Sequence, residues 1–202
     1  MYNKKRGQSV KLPRKHTQEM EAFDSDDLTL SKAAIEMLTV ANEYCLFFED
    51  VEKFKPEDIL TYFQRLAPLL YLKGSLLPGI EVEDEDFAER YVTEEQWEEI
   101  YKALRDKLSP EDRYYVHDHN YDTKEASLAD NMADIYQDMK DFVMAYQKNT
   151  LSARENALAL IRGLFASHWG PIVLQALGAV HGVLYKETLD PDFFEGDNPM
   201  FF

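Results

Sequence analysis

Four aspartates at helical spacing are the first feature of this sequence that could do chemistry. Asp130, Asp134, Asp138 and Asp141 recur every three or four residues, and carboxylates on inward helix faces bind magnesium in helical di-metal enzymes and nucleotide pyrophosphatases. On a helical projection, the apolar residues that begin with Leu128 cluster within about 40° of one direction, and the aspartates lie about 200–280° from it. The sequence therefore predicts that all four aspartates point to solvent, with a metal-dependent hydrolase acting on nucleotides as the alternative.

A second acidic group opens another predicted helix. Glu94, Glu95, Glu98 and Glu99 follow Thr93, and the unpaired N–H groups in the first turn of any helix favour acidic side chains. This general cause is sufficient, so we interpret the four glutamates as a solvated face. A carboxylate pair at the edge of a bundle is the alternative.

Histidines supply the best metal-like cluster. His117, His119 and Asp122 stand close together in a polar segment, and residues two apart in an extended chain share a face, so both imidazoles could reach one ion. No cysteine or further histidine lies nearby. We therefore expect surface histidines and no bound metal, with this trio as the alternative site.

Other catalytic motifs are missing from the sequence. It has no Gly-rich phosphate loop, no nucleophile-elbow serine and no HExxH motif. Its single cysteine, Cys45, excludes a disulfide framework and lies in an apolar stripe where a reactive thiolate is unfavourable. We therefore expect no cofactor.

Charge is distributed unevenly along the chain. The net charge is −16, but residues 1–16 hold six basic residues and no acid, so the remainder carries −22. Such a body repels nucleic-acid phosphate, and we expect nucleic-acid contacts only through the N-terminal arm, residues 1–29, which is predicted to be flexible. A partner protein with a basic surface is the expected complement.

Membrane and export signals are not found. No stretch reaches the roughly 18 uninterrupted apolar residues of a membrane helix, and no basic-then-apolar signal peptide opens the chain. We expect no membrane association and a cytoplasmic location.

Hydrophobic periodicity is helical almost throughout. It predicts an all-α fold, a single antiparallel bundle of five to six helices over residues 30–188 with no sheet. The first helix begins after the predicted N-cap Ser31 and has two apolar stripes, which favours a central position. Thr93 and Gln96 form a predicted capping box for a later helix, and the polar segment after Pro110 is interpreted as a connection.

The acidic tail, residues 189–202, holds four phenylalanines. Phe193 and Phe194 are predicted to fold back over the bundle as a lid, because burying one phenylalanine stabilises the chain by about 2 kcal/mol. Pro199, Phe201 and Phe202 are the candidate interaction residues, because an acidic stretch that ends in proline and phenylalanine resembles the partner-recruiting tips of bacterial single-stranded-DNA-binding proteins.

Three segments also carry a family resemblance: VTEEQWEEIYKALRDKL (92–108), SLADNMADIYQDMKDF (127–142) and FASHWGPIVLQALGAVHGVLY (165–185). Together they resemble an all-helical bacterial domain family of unknown function, over about residues 30–188. The resemblance implies a cytoplasmic helical domain and assigns no catalytic residue. It also draws attention to the HWG sequence, where Trp169 is interpreted as a packing corner; the alternative is a pocket floor shared by Tyr136, His168 and Trp169.

The sequence thus favours a protein-interaction or adaptor module over an enzyme. Its charge and its unclassified termini support that interpretation. A metal-dependent hydrolase and an RNA-associated accessory protein are the alternatives.

Overall fold

Six α-helices and a two-stranded sheet make up the residues that the computed structural model describes, which are 27–82, 90–117, 121–148 and 150–186. In chain order the elements are α1 (Lys32–Glu49), α2 (Pro56–Ser75), α3 (Glu94–Leu108), β1 (Arg113–His117), β2 (Thr123–Ser127), α4 (Leu128–Tyr146), α5 (Leu151–Ser167) and α6 (Trp169–Leu184). Two short 3-10 turns, Leu28–Leu30 and Val51–Lys53, flank α1.

The predicted absence of a sheet is wrong. β1 and β2 pair antiparallel in the segment interpreted as a connection, with Arg113 opposite Ser127 and His117 opposite Thr123. Tyr114 and Val116 are half-buried, while the other three residues of β1 are exposed. This is the two-residue period of a strand with one covered face. The alternation is short and its neighbours are polar, so the hydrophobic pattern of the sequence did not indicate a strand here.

Helix starts follow the capping signals. Ser31 caps α1 by accepting a hydrogen bond from the Ala34 amide, and Thr93 and Gln96 form the predicted capping box of α3. Both sequence predictions are therefore confirmed. Each cap satisfies amide groups that the first turn leaves unpaired.

The central helix is α4, not α1 as the sequence predicted. It packs against α1, α3, α5 and α6, and it buries most of its circumference, including Asn131, Asp138 and Asp141. Because neighbours cover α4 on several sides, part of its polar face also lies inside the bundle. This packing is what places the site described below.

The α5–α6 junction is fixed by Trp169. Its side chain is fully buried, and its Nε1 donates a hydrogen bond to the Ile161 carbonyl at 3.0 Å. The indole lies so close to Gly74 of α2 that a Cβ at that glycine would come within 2.2 Å of it. Trp169 thus joins α2, α5 and α6 and sets the position of the preceding residue, His168.

Within the described ranges, no single helix is long and apolar enough to cross a bilayer. Taken together, α5 and α6 have the length and composition of a membrane-crossing segment, but a 50° bend separates them.

Candidate functional site

Asp138 lies inside the bundle at the meeting of α4 with the α5–α6 junction. Its side chain is 0% exposed, and its Oδ2 lies 2.6 Å from Nδ1 of His168. An ionised carboxylate can only accept, so we assign Nδ1 of His168 as the donor. Among the residues that the structure describes, none donates a hydrogen bond to the other oxygen, Oδ1.

The prediction that the four aspartates point to solvent is wrong for two of them. Asp138 and Asp141 are buried, whereas Asp130 and Asp134 are half-buried. Asp134 accepts a hydrogen bond from Trp97 Nε1 of α3 at 3.0 Å. The aspartate side of α4 therefore faces α3 and the α5–α6 junction, which cover it.

Asp141 brings a second segment of chain to the site. Its Oδ1 accepts hydrogen bonds from the backbone amides of Tyr91 and Val92 at 2.8 and 2.9 Å. This anchors the stretch just before α3 and places Arg90 beside both buried carboxylates. The Arg90 guanidinium lies 3.7 Å from Asp138 Oδ1 and 3.5 Å from Asp141 Oδ2, longer than the roughly 2.7–3.2 Å of a normal N–H···O bond.

A cavity of about 230 Å³ opens beside these groups, between α4 and α5. Its polar side consists of Arg90, Asp138, Asp141 and Asn156. Its other described lining residues are apolar: Phe142, Ala145, Ala157, Leu160, Ile161 and Leu164. An apolar cleft with a few convergent polar groups is the usual form of a small-ligand site.

Burial changes the acid–base chemistry of the aspartates. Loss of water raises the pKa of Asp138, and the hydrogen bond and charge of His168 partly oppose that rise. Burial also raises the pKa of Asp134, with repulsion from Asp130 adding to it. These carboxyl groups therefore hold their protons more strongly than surface aspartates do.

The three pocket candidates from the sequence lie in different surroundings. His168 approaches the cavity through its bond to Asp138. The Tyr136 hydroxyl lies 3.2 Å from Glu49 Oε1 of α1, and Trp169 is enclosed in the core. None of the three is among the described residues that line the cavity.

The histidine cluster is described only in part, and the tail lies wholly outside the described residues. His117 is exposed on β1, with its Nδ1 3.3 Å from the Thr123 hydroxyl, and Asp122 lies just before β2. His119, Pro199, Phe201 and Phe202 lie outside the described residues, as do Phe193 and Phe194. Across the described ranges, no group of three His, Cys, Asp or Glu side chains is arranged to hold a metal ion.

Cys45 lies in the core, and burial raises its pKa to about 12. A thiol with so high a pKa is protonated at neutral pH and is a poor nucleophile. The expectation of an unreactive core cysteine agrees with this placement.

Sequence reasoning missed Arg90 and the inward position of Asp138 and Asp141. One signal was available. A solvated acidic face of a long helix normally includes bases three or four residues away, yet Lys140 is the only base between Leu128 and Tyr146. Four acids without such partners indicate that other elements supply them.

Comparison with known proteins identifies the family. The family model described as a domain of unknown function, DUF5063, matches residues 29–186. The chain belongs to the DUF5063 family. The resemblance noted from the three sequence segments is thereby confirmed.

A solved structure is also similar to this DUF5063 domain. The crystal structure of protein BF1032 from Bacteroides fragilis matches with a TM-score of 0.71 and 33% sequence identity, over 78% of this chain and 96% of that one. No curated protein matches the sequence. These similarities establish the family and the fold and leave the function to be argued from the site.

Proposed function

We propose that this DUF5063 domain is a recognition module whose binding site is the cavity between α4 and α5. The observation that supports this is Asp138 Oδ1, a fully buried carboxylate oxygen with no hydrogen-bond donor among the described residues, in a residue that lines the cavity. Buried polar atoms in native proteins are almost always hydrogen-bonded. A ligand that donates a hydrogen bond to Oδ1 would remove this deficit.

The contacts of the carboxylates favour recognition over metal-dependent hydrolysis. Asp141 Oδ1 already accepts two backbone amides, and Asp138 Oδ2 is paired with His168. Asp138 Oδ1 and Asp141 Oδ2 remain, but among the described residues no third His, Cys, Asp or Glu joins them in an arrangement that could hold a metal ion.

The charge of the chain supports a partner that presents basic groups. With a net charge of −16, the full chain attracts cations and repels nucleic-acid phosphate at distances up to about the Debye length. A protein with a basic surface is therefore our proposed partner class. The RNA-associated alternative depends on the N-terminal arm, which lies outside the described residues.

The proposal is tested by locating where small molecules bind. We would label the alanine and leucine methyl groups with ¹³C and titrate the full chain with a fragment set of up to about nine non-hydrogen atoms, since a cavity of about 150 Å³ already holds benzene. Binding should shift the methyl signals of Ala145, Ala157 and Leu160. Dissociation constants should be about millimolar for such small ligands.

A cavity-filling variant provides the control. Ala145→Phe should abolish the shifts at Ala157 and Leu160 by occupying the space, whereas Ala103→Phe, on α3 outside the cavity, should leave them intact. Fragments that bind equally well to Ala145→Phe, or that shift only distant methyl groups, would refute the proposed site.

A further inference from the structure

We infer that the α4–α5 cavity selects an organic cation: an ammonium or guanidinium group on an apolar stem about the size of a phenyl ring. The inference rests on the proposed function and specifies the chemistry of its ligand. It is carried by the charges at the polar side of the cavity, the space beside them and the way Arg90 is held.

One carboxylate oxygen of the site lacks a close partner. Asp138 and Asp141 contribute two carboxylates, and the Arg90 guanidinium lies no closer than 3.5 Å to either. His168 pairs with the other oxygen of Asp138, Oδ2. Asp141 is compensated by two backbone amides, but the described residues supply Asp138 Oδ1 with no hydrogen bond. A ligand cation would donate a charge-assisted hydrogen bond to Oδ1, whereas a ligand carboxylate would add a third negative charge to a buried site.

Arg90 occupies this position loosely. Its side chain is 59% exposed, and its guanidinium stays 3.5 Å or more from both carboxylates. At these distances the guanidinium is farther from both carboxylates than in a normal hydrogen bond. We therefore infer that the Arg90 guanidinium stands where the ligand cation binds, and that it moves outward when the ligand enters.

The apolar walls of the cavity determine the size and the apolar character of the ligand's stem. The cavity volume is about 230 Å³, larger than the roughly 150 Å³ cavity that accommodates benzene. The remaining space fits one or two methylene groups and a charged nitrogen. Both a free aromatic amine and the side chain of a lysine or arginine on a partner protein have this form, because the stem is apolar and only its tip is charged.

The test uses three probes that share a ring and differ in charge: benzylamine, benzyl alcohol and benzoate, titrated into the full chain at pH 7 while the cavity methyl signals are followed. We expect benzylamine to bind about tenfold more tightly than benzyl alcohol, because charge-assisted hydrogen bonds are about twice as strong as neutral ones. Benzoate should not bind measurably. N-acetyl-lysine methylamide, run in parallel, separates a protein side chain from a free aromatic amine as the source of the cation.

Two substitutions connect the preference to the named groups. Asp138→Asn preserves shape and should bring benzylamine and benzyl alcohol to within about threefold of each other. Arg90→Gln, at an exposed position, removes the competing cation and should raise benzylamine affinity about threefold to tenfold. The second variant keeps the test decisive if Asp138→Asn fails to fold.

Failure of the inference differs from failure of the proposed function. If all three probes bind equally, or benzoate binds best, the cavity is a recognition site but the cation preference is wrong. If no probe shifts the cavity methyl signals in either the native chain or Arg90→Gln, both are overturned.

Discussion

His168 Nδ1 lies 2.6 Å from Asp138 Oδ2, although thirty positions separate the two residues in the chain. His168 is the single residue between α5 and α6, while Asp138 lies on the central helix. The pair therefore joins the α5–α6 junction to the helix that lines the cavity. It also leaves the other carboxylate oxygen, Asp138 Oδ1, without a hydrogen-bond donor among the described residues and so open to a ligand.

This pair should contribute measurably to stability. We expect His168→Ala to lower the free energy of unfolding by about 1.5–3 kcal/mol, because it leaves the buried Asp138 carboxylate without its charge-assisted donor. Urea denaturation followed by circular dichroism measures the change. His181→Ala, at an exposed position on α6, should change stability by less than about 0.5 kcal/mol.

A double-mutant cycle separates the pair from the packing of the imidazole. Combined with Asp138→Asn, which removes the charge, His168→Ala should cost clearly less than it does alone. If the two costs simply add, the hydrogen bond does not couple the residues and the interpretation of the site changes.

Asp141 should hold the segment before α3 in place. Asp141→Ala leaves the Tyr91 and Val92 amides without their acceptor, and a buried unsatisfied amide costs about 1–3 kcal/mol. We expect hydrogen exchange at these two amides to accelerate strongly, with a smaller effect for Asp141→Asn, which keeps one acceptor oxygen. Unchanged exchange at both amides in Asp141→Ala would contradict this role.

Much of the helical fold could be predicted from local signals. Ser31, Thr93 and Gln96 mark helix starts because their side chains satisfy amides within the same turn. The β1–β2 hairpin could not be recognised in this way, since only Tyr114 and Val116 carry its alternation. A strand's covered face depends on what packs against it, and here the Tyr114 hydroxyl meets the Asn131 side chain of α4.

The site was less predictable for a related reason. A helical projection of α4 separates apolar from acidic residues correctly, but it cannot show which neighbours cover the acidic side. Asp134 meets Trp97 thirty-seven positions away, and Asp141 meets Tyr91 fifty positions away. These partners come from α3 and from the segment before it, so only the tertiary arrangement turns a predicted solvated face into a buried one.

The contact between Gly74 and Trp169 should make that glycine irreplaceable. Gly74→Ala places a Cβ about 2.2 Å from the indole Cη2, and the fully buried ring has little room to move, so we expect a loss of about 1–3 kcal/mol or more. Gly163→Ala is the matched control, because its Cβ would meet nothing within 4 Å. That helix substitution should stabilise the domain by about 0.5–1 kcal/mol. Urea denaturation measures both changes. If Gly74→Ala and Gly163→Ala changed the free energy of unfolding by the same amount, the packing argument would be refuted.

The pH dependence of stability should show the burial of the α4 aspartates. Burial, with repulsion from Asp130, raises the pKa of Asp134 in the folded state above its ordinary value of 3.8. Between 3.8 and the raised value the folded chain holds more protons than the unfolded chain. The contribution of Asp134 to the free energy of unfolding is therefore fully present below pH 3.8. It decreases as the pH rises through the pKa of the folded state.

Asp134→Asn removes this titration while its side-chain carbonyl can still accept the Trp97 hydrogen bond. We therefore expect the variant to have its greatest stability relative to the native chain near pH 7, and this difference to shrink as the pH falls toward 4. Urea denaturation at several pH values measures it, with Asp106→Asn, an exposed position on α3, as the control for general charge removal. A stability difference that grows toward pH 4 would mean that the Asp134 carboxylate is stabilised by its surroundings, contrary to a pKa raised by burial.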